Sequence, residues 1–231
     1  MKINRLRHVW ILGLLISSFI ISGCAGPNSL YSVNMYYDAK QATIPSYLNA
    51  DGKASSVVIS LAEFNDTRQM DDRMVIGHVI EQNGTKALVF PQSVKATEVI
   101  PNGIKRYLRK AGYKVSDRME QWDLKEENIP KGDSQVIIGG KIEELEVSCR
   151  KGFPANAYDA RIKLAIVIAN AADGKILYKS KVENSYTREY VLFSEEYLGE
   201  QASVVVGDAI EKLFEDRVVA QKLKEAIMKE D

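Results

Sequence analysis

Cysteine and histidine are both scarce in this chain. Its 231 residues hold two of each, at His8, Cys24, His78 and Cys149. Two cysteines allow at most one bridge, so no disulfide framework can replace a hydrophobic core. Neither Cys-x-x-Cys nor His-Glu-x-x-His occurs, and the usual zinc spacings are therefore missing. There is no Gly-x-Ser-x-Gly elbow and no glycine-rich loop to cradle a phosphate. Net charge is also lacking, with 31 Lys and Arg against 31 Asp and Glu. That balance argues against a nucleic-acid partner, which a basic patch would announce. No internal repeat or low-complexity segment breaks the chain. No apolar run reaches the roughly 20 residues that a membrane span requires.

An apolar run without charge, Val9 to Ile21, follows Lys2, Arg5 and Arg7 and is succeeded by small residues. That order is a secretory signal peptide, expected over residues 1–23. The sequence Ile21-Ser22-Gly23-Cys24 resembles the bacterial lipobox. The resemblance implies cleavage before Cys24, a diacylglycerol on its sulfur and acylation of the new amine, with palmitate-type chains as the membrane anchor. In the usual sorting rule Ala25, which is not Asp, directs such a protein to the outer membrane, with the domain on its periplasmic face. Cleavage would leave 28 Lys and Arg against 31 acids. It would also leave Cys149 without an intrachain partner, and His78 as the last histidine.

Residues 24–53 read as lipidated N-terminus and tether, because Gly26, Pro27, Pro45 and Gly52 are scattered among Asn and Ser. Within them "LYSVNMYY" either continues the tether or adds an edge strand. A single globular domain is expected over 54–231. "SVVISLAEF" is a β-branched run of strand length. The apolar pieces around Asn83-Gly84 predict a hairpin. Ile100, Ile104, Leu108 and Ala111 share one helical face, with Gly112 as the stop. Pro101 suits a first helical turn, so the helix begins near Thr97 or at Pro101 itself. "YKVSD" is a short strand, and Arg118 to Asp133 is a long loop or a strand excursion.

Val136, Ile138 and Ile142 alternate on even positions, whereas Leu145, Val147 and Cys149 fall on odd ones. A single inserted residue near Glu143-Glu144, a β-bulge, explains the change of phase. Gly139-Gly140 would ease a bend beside it. Tyr158, Ala160, Ile162, Leu164, Ile166 and Ile168 form the clearest alternation, and Asp173-Gly174 turns it into a return strand carrying Ile176, Tyr178 and Val182. Ser194 is positioned to cap a helix striped by Leu198, Ala202, Val205, Ala209 and Leu213. A terminal helix carries Val219, Leu223 and Ile227. The order predicts an α+β fold, a mostly antiparallel sheet with helices packed on one face.

Chemistry-bearing groups are few. Asp66-Thr67-Arg68 reads either as a charged site at a strand end or as a turn in which Asp caps amides and Arg pairs nearby. Glu143, Glu144 and Glu146 could do paired-carboxylate chemistry, or simply face water. Tyr186, Arg188, Tyr190 and Phe193 gather residue types enriched at interfaces, and they could equally pack a sheet edge. No catalytic residue, metal ligand or cofactor is expected.

Several stretches together resemble the YajG-type family of uncharacterised bacterial lipoproteins: "VVISLAEFNDTR", "IKRYLRKAGYKV", "VIIGGKIEELEV" and "YDARIKLAIVIANAADGKILYKS". The segment from Arg118 to Asp133 is longer than the resemblance implies. The resemblance implies an anchored periplasmic domain and no activity. The expected function is a non-enzymatic envelope module docking on a protein partner, with Asp66, Arg68, Tyr186, Arg188, Tyr190 and Phe193 as candidate contact residues. The alternative is a transport-associated auxiliary lipoprotein holding a lipid or small apolar ligand.

Overall fold

The computed structural model describes residues 30–50, 52 and 57–228. The expected signal peptide and Cys24 lie outside them. Within these residues nine strands form one sheet: β1 (Leu30–Val33), β2 (Val58–Ala62), β3 (Asn65–Asp66), β4 (Gly77–Ile80), β5 (Lys86–Pro91), β6 (Lys114–Glu120), β7 (Val136–Arg150), β8 (Asn156–Asn170) and β9 (Lys175–Tyr190). Among the described residues, three α-helices accompany it: α1 (Ala96–Lys110), α2 (Glu195–Glu215) and α3 (Arg217–Met228).

The long β7–β8–β9 meander is antiparallel and supplies most of the pairing. Along its other edge β7 is shared in turn by β2, β3 and β4, all parallel to it. The sheet therefore forks. β6 continues beyond β2, while β5 and then β1 continue beyond β4.

All three helices pack on one face, where their stripes meet Ile59, Val79, Val89, Ile138, Val147, Ile162 and their neighbours in one buried core. The six even-numbered residues expected from β8 are all in it, because the two-residue period of a strand commits alternate side chains to one side. The phase change in β7 is a bulge between Ile142 and Glu144. It keeps Ile142 and Leu145 on the same buried face although they are three positions apart, an odd spacing. The expected turns form as well. Gly84 and Gly174 sit at positive φ, and Gly112, at φ 95°, closes α1. There Gly112 N donates to Arg109 O and Tyr113 N to Leu108 O, the paired bonds of a Schellman stop.

Four local readings change. Helix α1 starts at Ala96, so Pro101 lies inside it; the buried positions Ala96, Val99 and Ile100 hold the first turns against the core. In β9 the register slips between the partners of Ile168 and Ala169, so Tyr178 faces the helices while Ile176 faces the other side. Gly139 and Gly140 answer close approach rather than bending. A Cβ on Gly139 would stand 2.6 Å from Leu124 and 2.9 Å from the Trp122 ring, and one on Gly140 would stand 2.4 Å from Phe64. Finally, residues 30–50 are packed and not a free tether. Val33, Met35, Tyr37, Ala42 and Leu48 are buried in the main core. The Tyr37 hydroxyl donates to Glu211, Arg106 and Lys110 donate to carbonyls of this segment, and the Tyr47 hydroxyl bonds Glu215 O at 2.7 Å. Proline and asparagine gave it a loop composition, but its apolar residues are buried wherever they fall.

A second, smaller cluster lies on the opposite face. The segment after β6 folds over one end of the sheet, setting Trp122, Leu124 and Ile129 on Ala62, Ile137, Val167, Ala169 and Ala171. The excursion expected between Arg118 and Asp133 is thus a lid.

Candidate functional site

Where the sheet forks, the chain between β3 and β4 must cross a gap beside the β7 bulge. Arg68 fills it. Its side chain is almost fully buried, with Nε donating to Asp66 Oδ1 at 2.9 Å and Nη2 to Asp66 Oδ2 at 2.7 Å. The remaining donors go to the carbonyls of Val75, Leu145 and Arg73. Burial opposes the Asp66 charge, but the bonds and charge of Arg68 outweigh it and hold the carboxyl below its usual range. A planar fork with five donors suits such a junction, where several backbone carbonyls lose their ladder partners. Asp66 and Arg68 therefore act on the chain itself.

The carboxylates at the bulge do meet this turn. Thr67, Arg68, Gln69, Met70, Glu143, Glu144, Glu146 and Lys163 line a cleft of about 660 Å³. Its acids are matched by cations on the open sheet face. Glu146 lies 3.1 Å from Arg161 and 3.1 Å from His78 Nδ1, Glu144 lies 3.9 Å from Arg161, and Glu143 lies 3.4 Å from Lys181. Lys163 pairs with Glu183 on β9. The cleft is a set of half-exposed ion pairs with each acid already opposite a cation. Among the described residues, no group of three or more His, Cys, Asp or Glu could hold a metal ion. Cys149 is buried, and burial pushes its thiol up to about 11, away from the thiolate that nucleophilic chemistry uses.

The aromatic residues converge at the end of the molecule where β9 passes to α2. Tyr190 stacks on Tyr197 with centroids 3.9 Å apart, and both meet Tyr158 edge-on. Phe193 stacks on Tyr158 and meets Tyr31 edge-on. The Lys151 ammonium sits 3.9 Å above the Phe193 ring, a cation–π contact. It donates to Tyr31 Oη at 2.8 Å and pairs with Glu81 at 2.9 Å. Burial acts against the Lys151 charge, yet the bonds to Tyr31 and Glu81 raise its affinity for the proton. The Tyr31 hydroxyl, donating to Glu81 at 2.6 Å, is the main reason the Glu81 carboxyl is lowered. Arg188 Nη1 lies 3.2 Å from the Tyr186 hydroxyl and its guanidinium 5.4 Å from the Tyr190 ring centre.

Of the four aromatic-patch residues picked from the sequence, Tyr190 and Phe193 are partly buried parts of the core edge, while Arg188 is exposed on β9. Tyr31, Glu81, Lys151, Tyr158 and Tyr197 complete the cluster and were missed. Tyr158 carried a signal, as the first apolar position of the β8 alternation. Lys151 and Glu81 are 70 residues apart and carried none.

Neither a protein-family model nor a curated protein sequence matches this chain. Solved structures do. A Xanthomonas campestris protein of the family model DUF330 overlays with a TM-score of 0.52 at 11% identity, covering 85% of this chain and 99% of its own. PelC from Paraburkholderia phytofirmans, crystallised as a dodecamer, overlays at 0.40 with 10% identity, covering 74% of this chain and 95% of its own. Lipoprotein GNA1162 from Neisseria meningitidis overlays at 0.31 with 13% identity, over 66% of this chain and 96% of its own. The first likeness is one of fold: this sheet-and-helix architecture recurs across nearly the whole of the Xanthomonas protein.

Proposed function

We propose that the protein is a lipid-anchored accessory of the bacterial envelope, as its resemblance to YajG-type lipoproteins suggests, and that it acts by docking and not by catalysis. Cys24 is the acylated residue, and Ala25 sends the molecule to the outer membrane, with the domain on its periplasmic side. The observation that carries the reading is how the polar groups are used. The turn of Asp66 and Arg68 is spent on the fork, and the cleft acids face cations of their own sheet. The Tyr186 and Arg188 pair, by contrast, stands at the edge of a rigid aromatic cluster. Aromatic rings and arginine held on packed scaffolding are what interface cores use.

A carrier of a lipid or apolar ligand is the second reading. It needs room between sheet and helices. That layer is filled from both sides: Ile59, Ile138, Val147 and Ile162 of the sheet and Ile104, Leu108, Val205 and Leu213 of the helices are buried in one core. Docking is therefore favoured.

The test has two arms. Radiolabelled palmitate incorporation and envelope fractionation compare the full chain with Cys24→Ala, which should lose label and membrane retention. A photo-crosslinking residue at Tyr186 or Arg188 in living cells should yield a discrete protein adduct. Retention and processing of Cys24→Ala without change would refute the anchor. Recovery of nothing but monomer from every surface position would refute docking.

A further inference from the structure

The end of the sheet that carries the aromatic cluster also carries the most exposed apolar side chains. Phe153, at the tip of the β7–β8 hairpin, is 97% exposed; Val191 and Leu192, in the loop from β9 to α2, are 76% and 74% exposed. These two tips are tied together. The buried Asn156 side chain accepts from Gly152 N of the hairpin and donates to the carbonyls of Tyr190 and Val191. Lys151, next to Gly152, lies over Phe193. Three large apolar groups are thus held outward on a rigid support, at a position where no core lies within reach. On the open face nearby, Leu30 and Leu88 are paired across β1 and β5 and both exposed. Cross-sheet pairing puts their row level with Ser148, two residues before the end of β7.

The direction of β1 says what this end faces. β1 runs parallel to β5, from Leu30 beside Leu88 to Val33 beside Pro91, away from the hairpin tip. The chain from Cys24 therefore enters the domain at the apolar end. Five residues separate Cys24 from Leu30. Fully extended, those six steps span at most about 20 Å. The β8 strand, fifteen residues long, measures roughly 50 Å at the usual rise per residue. An anchor on Cys24 therefore holds only this end near the bilayer.

We propose that Phe153, Val191 and Leu192 form a second membrane contact, inserting into the interfacial region of the leaflet that holds the acyl chains. The proposal rests on acylation of Cys24. The anchor limits the distance, and the apolar tip sets the orientation, with the long axis of the sheet rising from the membrane and the β8–β9 turn farthest from it. Apolar surface at the interface typically lies about 5–10 Å into the headgroup boundary, and its contribution grows with the apolar area buried.

The full lipidated protein, reconstituted in vesicles of phosphatidylethanolamine and phosphatidylglycerol, provides the test. Phe153→Trp and Leu192→Trp are compared with Ala172→Trp in the exposed β8–β9 turn, using quenching by lipids brominated at defined depths. These sites are exposed, and unchanged circular dichroism checks the fold. Quenching at 153 and 192 should exceed that at 172 by at least about twofold, strongest for bromines near the headgroups. Flotation with the vesicles and the acyl mass are read on the same samples. Flotation with equal or no quenching at the three sites overturns the tip contact and leaves the anchor standing. Failure to acylate and float overturns both. A photo-crosslinker at Leu192 that captures a protein in intact cells, where lipid adducts are expected, also overturns the proposal and assigns the tip to a partner.

Discussion

The open face of the sheet is built in two different ways along the same strands. At the β8–β9 turn end, Ile137, Val167 and Ala169 are apolar, and the Trp122 lid buries them. Past the β7 bulge the equivalent face carries Glu144, Glu146, Arg161 and Lys163, which face one another and water. The opposite face, under the helices, is apolar along β7 from Val136 to Cys149 and along β8 from Tyr158 to Ile168. The strand alternation alone thus gives one dry side; a stretch of apolar residues on the second side requires a covering segment of its own. The bulge and the Asp66–Arg68 turn lie at the border between the two regimes, where the sheet forks.

The largest effect is expected at that border. Arg68→Ala removes the donors for three carbonyls and leaves Asp66 without its cation. Breaking one side of a buried pair costs about 3–5 kcal/mol, and denaturant unfolding should register it. If Arg68→Ala costs no more than a surface substitution, the fork is held by something else. The pair also sets a pH dependence. The folded Asp66 carboxyl titrates below its ordinary value of 3.8. Its contribution is fully present above that value and is lost as pH falls through the lower folded one. Unfolding free energies measured between about pH 6 and pH 2 should therefore decline less steeply for Asp66→Asn than for the parent chain.

Next in size is the lid. Trp122 is 5% exposed, and its indole donates to Lys125 O at 2.9 Å. Trp122→Ala should cost about 3 kcal/mol, at the low end for a buried tryptophan because the segment can settle onto the sheet. Hydrogen exchange should quicken at the start of β7 and the end of β8, and stay unchanged at Glu146 and Arg161. Uniform loss along both strands would mean that the two halves of the open face are not separate units.

Much of this architecture was legible because it is local. The alternation in β8, the phase change at Glu143-Glu144, the Asn83-Gly84 and Asp173-Gly174 turns and the Gly112 stop each depend on a few adjacent residues. What stayed hidden depends on partners far away in sequence. The edge strand left open for "LYSVNMYY" forms as β1, but the residues after it, as far as Leu48, looked like a tether because their partners are the distant helices. The slip in β9, where Leu177 is the extra residue between Ile176 and Tyr178, follows from pairing with β8. Arg68 was visible as a charged residue after a strand, but its carbonyl partners come from a fork that no stretch of sequence displays. The cluster of Tyr31, Glu81, Lys151 and Phe193 joins four separate segments. The candidate site was thus half legible: its β9 members could be found, and its support could not.

The smallest effect should come from the ladder. Arg161 is 49% exposed and lies within 3.1 Å of both Glu146 and Asp159. Exposed pairs give back in side-chain entropy most of what they gain in attraction, and salt screens the rest. Arg161→Ala should therefore cost less than about 1 kcal/mol, shrinking further at molar salt. Paired with Glu146→Gln in a double-mutant cycle, it should show a coupling of a few tenths of a kcal/mol. A loss near that of Trp122→Ala would mean that charges on the wet half of the face stabilise it as strongly as the lid does the dry half. The contrast would then be one of chemistry alone. A small loss means that the wet half draws little stability from its charges, and that the fold there depends on the helices behind it.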